Sequence, residues 1–85
     1  MFLHLGSNSV IQTKNILGIF DLDTTTVQKS SRDYLSLAEK SGRLVNVSPF
    51  ELPKSFVVCD EGDITVYLSQ LSPQTLLKRL EVLSN

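Results

Sequence analysis

The sequence predicts an α+β fold in which a small antiparallel β-sheet carries two helices. Within the predicted strand at residues 55–59, residues 56–59 form an unbroken apolar run, which is typical of a strand covered on both faces. Residues 64–68 follow a tight acidic turn and alternate apolar with polar side chains, which predicts a strand paired antiparallel with the first. Two stretches with helical periodicity complete a predicted order of βββαβββα.

Length and composition indicate one soluble domain, residues 1–85. The chain is 41% apolar, has a mean hydropathy of +0.05, and has no apolar run near the ~20 residues of a membrane span. A chain of this size buries only roughly 60% of its unfolded surface, so oligomerisation is a common way to stabilise it. The first five residues lack the basic start and long apolar region of a signal peptide. We therefore expect a cytoplasmic protein that does not enter a membrane.

The first half of the chain predicts a hairpin and a third strand. Residues 2–5 and 10–13 flank a turn cluster at residues 6–9. The polar residues 14–15 then interrupt the extended pattern before the strand at 16–20. Gly18 lies inside this strand and marks either a bulge or a close packing contact.

The first helix is predicted to begin after a capping residue among positions 23–26 and to run to about Ser41. Gly42 is expected just past its end, where glycine readily adopts a left-handed conformation. The charged and polar side chains of this helix form a solvated face opposite an apolar stripe. That stripe consists of Val27, Tyr34, Leu35 and Ala38.

The second half of the chain predicts the central hairpin and the last helix. Residues 43–47 resume an extended pattern, and a loop bracketed by prolines then leads to Lys54 at the start of the apolar strand. Gly62 suits the positive-φ position of the acidic turn. Ser72 is a good N-cap and Pro73 suits the first helical position. The helix stripe consists of Leu76, Leu77, Leu80 and Leu83, while Val82 lies off the stripe as a second contact point.

The predicted strand at 55–59, which needs a cover on both faces, also indicates how the chain assembles. If both helices pack on one face of the sheet, the other face of this strand needs a cover from another subunit. On that condition, the pattern predicts a homo-oligomer.

Enzymatic chemistry is disfavoured. Residues 20–25 read FDLDTT, which fits the D-x-D-x-T motif of haloacid-dehalogenase-type phosphotransferases, whose carboxylates attack phosphorus and bind magnesium. That chemistry also requires a parallel sheet and further acidic and lysine residues that a chain of 85 residues cannot supply. Asp21 and Asp23 are better explained as residues at a helix N-terminus. His4 and Cys59 stand alone, so we predict no catalytic residue, metal, cofactor or small-molecule substrate.

The cations leave two interpretations open. The net charge of −1 does not indicate nucleic acid binding, so such a function would depend on where the cations lie. Lys14, Arg43 and Lys54 fall at strand ends or loops, where a β-rich domain contacts phosphates. Scattered surface charges that maintain solubility explain the same residues.

The chain resembles the small bacterial extracellular-matrix regulatory proteins, and most closely their RemB-like branch. The resemblance covers nearly the whole length and is carried by four segments in the same order and at the same intervals. These segments are HLG at 4–6, KNILGIFD at 14–21, PKSFVV at 53–58 and LSPQTLLKR at 71–79.

This resemblance implies a cytoplasmic, non-enzymatic protein. The RemA branch of the family binds promoter DNA, activates biofilm-matrix genes and forms rings of a LytTR-like fold, in which weak contacts add by multivalency. This chain departs from that branch at residues 49–54, where PFELPK replaces an arginine-rich loop and only Lys54 is basic. Lys14 stands where RemB-like relatives carry a basic residue.

Two functions follow as expectations. The first is an oligomeric DNA-binding regulator of matrix genes, whose DNA contacts are Lys14, Lys54 and Arg43 and are weak in each subunit. The alternative is a protein-interaction or co-assembly module of the same fold without direct DNA contact, which Glu51 and Val82 favour.

Overall fold

The computed structural model describes residues 1–6, 9–22 and 29–84. The elements are β1 (Phe2–Gly6), β2 (Ser9–Gln12), a 3-10 turn (Thr13–Asn15), β3 (Ile16–Asp21), α1 (Lys29–Lys40), β4 (Leu44–Asn46), β5 (Ser55–Asp60), β6 (Ile64–Ser69) and α2 (Pro73–Ser84). The predicted α+β class and the order βββαβββα are confirmed. No helix among these residues is long and apolar enough to cross a membrane.

The strands form two sheets. Strands β1 and β2 make an antiparallel pair, and the other strands form a four-stranded sheet in the order β3-β5-β6-β4. Strand β5 lies inside this sheet and is antiparallel to both neighbours, as predicted. The prediction of a wholly antiparallel sheet is wrong for β4, which runs parallel to β6. The reason is that α1 returns the chain to Arg43, whose carbonyl accepts a hydrogen bond from Val66 N–H near the start of β6.

Both faces of β5 are covered by the same chain. Val57 and Cys59 face the β1–β2 hairpin and α2, whereas Phe56 and Val58 face α1. The two helices therefore lie on opposite faces of the sheet. The apolar side chains on both faces of β5 are covered within one chain, so the argument that this strand needs a second subunit is wrong. The homo-oligomer stays a prediction.

Helix α2 begins as the sequence predicts. The hydroxyl oxygen of Ser72 accepts a hydrogen bond from Thr75 N–H at 3.2 Å, and Pro73 is the first helical residue. Leu76 is fully buried against the sheet, but Leu77 is 51% exposed. Leu77 is one residue, or about 100°, further round the helix, which turns it away from the sheet.

Helix α1 ends where glycine was expected. Gly42 has φ +72°, and its N–H donates to Glu39 O at 3.1 Å while Arg43 N–H donates to Ala38 O at 2.9 Å. These bonds satisfy carbonyls that the end of a helix leaves without partners. Ala38 is buried, as predicted, although Tyr34 is 41% exposed. The predicted cap at residues 23–26 and Val27 lie outside the described residues.

Two further glycines have their predicted roles. The pairing of β3 with β5 shifts register between Ile16 and Gly18, which places a bulge there. A Cβ atom at Gly18 would lie 2.7 Å from the ring of Phe20, so the close packing contact is also present. Gly62 in the acidic turn has φ +94°, and its N–H donates to Asp60 Oδ1 at 3.2 Å.

Two buried serines join the hairpin to the main sheet. Ser69 and Ser55 are fully buried and are paired across β5 and β6. Ser69 Oγ donates to Leu5 O at 2.6 Å and accepts from Leu71 N–H at 3.1 Å, and Ser55 Oγ donates to Leu71 O at 2.8 Å. These bonds hold the end of β1 against the segment that leads into α2. They therefore fix the spacing between β1 and α2.

Candidate functional site

Lys54 combines a fixed backbone with an exposed side chain. Its N–H donates to Ser69 O and its carbonyl accepts from Leu22 N–H, both at 2.8 Å. The backbone is therefore held between β3 and β6 at the mouth of β5, while the side chain extends into solvent. This geometry suits a phosphate contact, because the charge is presented from a rigid element.

Lys14 is also exposed and lies in the 3-10 turn between β2 and β3. The turn is tied to the chain start, since Thr13 N–H donates to Met1 O at 3.0 Å. Because β3 and β5 are antiparallel, with Ile16 opposite Cys59, Lys14 lies at the end of the sheet away from Lys54. Five residues of β5 at a rise of about 3.4 Å per residue place the backbones of the two lysines roughly 17 Å apart along the strand direction.

Arg43 is mainly bound into the fold. It is half-buried, and its Nε atom is buried without a hydrogen-bond partner among the described residues. Arg43 precedes β4, so it lies at the Lys14 end of the sheet but on the opposite edge. The structure thus does not bring Lys14, Arg43 and Lys54 together within one chain, and their role in DNA binding stays a prediction.

Acidic side chains lie at the Lys14 end of the sheet. The tip between β5 and β6 carries Asp60, Glu61 and Asp63 at the same end of the sheet as Lys14. Glu61 accepts a hydrogen bond from the hydroxyl of Tyr67. Burial, and then this hydrogen bond, raise the pKa of Tyr67 above its usual range. A phosphate approaching Lys14 therefore meets carboxylates nearby, which keeps the attraction per subunit weak.

The loop before Lys54 presents apolar side chains to solvent. Phe50 is completely exposed and Leu52 is 87% exposed, with Glu51 between them. The base of the loop is anchored, because Ser48 Oγ donates to Gln70 Oε1 at 2.7 Å. We call residues 49–53 the PFELP loop.

A groove with a volume of about 550 Å³ lies between β1 and α2. Its apolar wall includes Phe2 and Val82, which are 56% and 72% exposed. Arg79 spans the groove, since its Nη1 donates to His4 O at 3.3 Å. We call this feature the β1–α2 groove; its lining residues are Phe2, Leu3, His4, Thr75, Lys78, Arg79 and Val82.

Sequence reasoning found only part of this groove. The position of Val82 off the helix stripe indicated a contact surface on α2. The second wall could not be predicted, because it depends on β1 packing beside α2 through Ser69 and its partners. Phe2 and His4 were assigned only to a strand, and no signal in the sequence placed them next to Val82.

A smaller cavity of about 350 Å³ lies between β3 and α1. The rings of Phe20 and Phe56 stack there with centroids 4.9 Å apart. Leu17 at the bulge is 63% exposed and Tyr34 contributes from the helix. The described residues that line it carry no charged side chain, so they provide no electrostatic contact for a phosphate.

The described residues contain no cluster of His, Cys, Asp or Glu that could hold a metal ion. Cys59 is fully buried, and burial followed by the charge of Glu61 raises the pKa of its thiol to about 11. A thiol that stays protonated is a poor nucleophile and a poor metal ligand. Strand β3, which ends in Asp21, is antiparallel to its neighbour, unlike the parallel arrangement that the phosphotransferase motif requires.

Comparison with known proteins identifies the family. Residues 2–80 match the family model RemA-like, described as extracellular matrix regulatory protein A-like. The chain is also 35% identical over 81 residues to extracellular matrix regulatory protein B of Bacillus subtilis (strain 168), and this alignment covers 95% of the chain and 91% of the relative. These names describe regulatory proteins rather than enzymes. The resemblance predicted from four sequence segments is confirmed, and the chain belongs to the RemA-like family of extracellular matrix regulatory proteins.

Proposed function

We propose that this chain is an oligomeric DNA-binding regulator of extracellular matrix genes that acts through phosphate contacts from Lys14 and Lys54. The observation that carries the proposal is the presentation of Lys54, whose charge projects from a strand end held by two backbone hydrogen bonds. The matrix-regulatory family supports the biological role. The cytoplasm is the compartment in which such a protein meets DNA.

Oligomerisation is part of the proposal because one chain offers few contacts. Lys14 and Lys54 lie at opposite ends of the sheet, and the acidic tip between β5 and β6 lies at the Lys14 end. Several subunits, in a ring or another closed assembly, present these lysines repeatedly along one DNA. Linked weak contacts then give an affinity that no single subunit has. Arg43 is a further candidate contact, though half-buried.

The test is the salt dependence of DNA binding by the variant Lys14→Ala plus Lys54→Ala. The plot of log affinity against log salt has a negative slope, and each lost phosphate contact makes this slope shallower by about 0.9. The slope of the variant is therefore expected to be shallower by about 1.8 for each subunit that touches DNA. Fluorescence anisotropy with a labelled duplex, between about 50 and 200 mM salt, measures this slope.

The matched control is Lys29→Ala plus Lys40→Ala, which removes two exposed cations from α1 and leaves the total charge equal to that of the test variant. This control is expected to keep the wild-type slope. Identical slopes in the wild type and the Lys14→Ala plus Lys54→Ala variant would show that these lysines do not contact DNA.

A second function is a co-assembly module that works through protein contacts alone. The specific observation in its favour is the pair of exposed apolar surfaces, the PFELP loop and the β1–α2 groove. A purified oligomer that retains no DNA even at low salt would favour this function over the first. Co-purification of a relative after DNA digestion would support it further.

A further inference from the structure

The β1–α2 groove has an apolar floor and a positive rim. Phe2 and Val82 remain more than half exposed on its walls, which leaves apolar surface in contact with water. Lys78 and Arg79 supply positive charge from α2, and none of the described residues that line the groove is acidic. Its volume of about 550 Å³ lies within the range of about 300–1,000 Å³ found for binding sites. The groove therefore fits an occupant with apolar groups and a negative charge.

The PFELP loop has the complementary composition. Phe50 and Leu52 are almost completely exposed, and the carboxylate of Glu51 lies between them in sequence. Pro49 and Pro53 restrict the backbone on either side. The hydrogen bond from Glu51 N–H to Ser48 O at 3.0 Å further limits the loop. A loop restricted in this way loses little conformational entropy when it binds.

We propose that the PFELP loop of one copy docks in the β1–α2 groove of the next copy. Phe50 and Leu52 then cover the apolar walls, and the Glu51 carboxylate pairs with the cations of α2. The contact is between copies, because Phe50 is fully exposed within its own chain and therefore does not occupy its own groove. This inference rests on the proposed oligomer and specifies how it is built.

The contact is heterologous, since it joins two different surfaces of the chain. Each copy has one free loop and one free groove, so the contact repeats head to tail. Such an interface produces a ring when the rotation between copies closes and a filament when it does not. It also explains why exposed apolar residues persist on both surfaces of a single chain.

The test exchanges charge across the contact. Glu51→Arg and Arg79→Glu each place like charges together in every junction, so each variant alone is expected to associate at least about tenfold more weakly than wild type. When the two variants are mixed and alternate along the assembly, the loop of each variant meets the groove of the other. Every junction then pairs opposite charges again. The mixture, and the single chain carrying both changes, are therefore expected to regain the wild-type mass.

Sedimentation velocity of each purified protein and of the mixture measures these masses, with far-UV circular dichroism to confirm folding. Lys40→Glu is the control, because it reverses an exposed cation of α1 outside the groove and should leave the mass unchanged. Wild-type mass in both single variants would overturn the inference. The inference would also be overturned if the single variants had a lower mass than wild type and the mixture did not regain it.

The outcome separates this inference from the proposed function. A wild-type chain that is monomeric at every concentration would overturn the oligomer and the contact together. A wild-type oligomer that binds DNA but ignores both charge reversals would overturn only the contact. Phe50→Ser tests the apolar part, since it removes the aromatic side chain while leaving the charges in place and is expected to reduce the mass as well.

Discussion

Replacing Ser69 with alanine tests how the hairpin is joined to the main sheet. Ser69 is fully buried, and its hydroxyl bonds to both Leu5 O at 2.6 Å and Leu71 N–H at 3.1 Å. Alanine leaves the buried Leu5 carbonyl without that bond, which costs about 1–3 kcal/mol, and the partly buried Leu71 N–H adds to this cost. We expect the free energy of unfolding to fall by about 2–3 kcal/mol.

Urea denaturation followed by far-UV circular dichroism measures this change. Each protein is examined at two concentrations, because association makes the apparent stability depend on concentration. The corresponding shift in melting temperature is about 4–8 °C for each kcal/mol in a domain of this size. Ser36→Ala on the exposed face of α1 is the control and should stay within about 0.5 kcal/mol of wild type. A Ser69→Ala variant as stable as this control would refute the role assigned to the buried serine.

Two further predictions concern the hairpin between β5 and β6. Gly62→Ala should destabilise the chain by about 1 kcal/mol or more, because Gly62 has φ +94°; an unchanged urea midpoint would contradict this. The thiol of Cys59 has a folded pKa of about 11 against 9.0 for an unperturbed thiol, so the native state holds its proton more tightly. The resulting stability is complete below about pH 9 and is lost as the pH rises to about 11. In urea unfolding, the free energy of unfolding of Cys59→Ala should decline less across this pH window than that of the wild type. Some decline remains in both proteins, because the pKa of Tyr67 is also raised. An identical decline in the two proteins would contradict the linkage.

Local signals predicted most of the elements. The N-cap Ser72, the helix-ending Gly42 and the turn residue Gly62 all act within a few residues of their own positions, so the sequence alone identifies them. The doubly apolar pattern of residues 55–59 likewise reported a strand with two covered faces, since burial on both sides removes the need for alternation.

Long-range packing could not be predicted from the same signals. The apolar stripe of α1 or α2 shows that a helix packs on a sheet, but not on which face. The opposite placement of the helices therefore had to come from the structure, and it removed the first argument for a second subunit. The direction of β4 was missed for a related reason, because its three residues pair with β6 across a long stretch of chain.

In the candidate site, too, local features could be predicted from the sequence and long-range arrangements could not. The exposure of Lys14 and Lys54 followed from their positions in loops and at strand ends, whereas their separation across the sheet depends on strand pairing. Glu51 and Val82 were each noted in the sequence as features that favour protein contacts. Only the structure showed that Val82 lines a groove with Phe2 and that Glu51 lies between two exposed apolar side chains.

The proposed function requires an oligomer that binds DNA through electrostatic contacts. Light scattering of the wild-type protein, with and without a DNA fragment and at a low and a high salt concentration, tests assembly and binding in one experiment. We expect a mass several times that of the 9.5 kDa chain at both salt concentrations, and a DNA complex that forms at low salt and dissociates at high salt. A monomeric mass throughout, or an oligomer whose mass never changes when DNA is added at low salt, would contradict it.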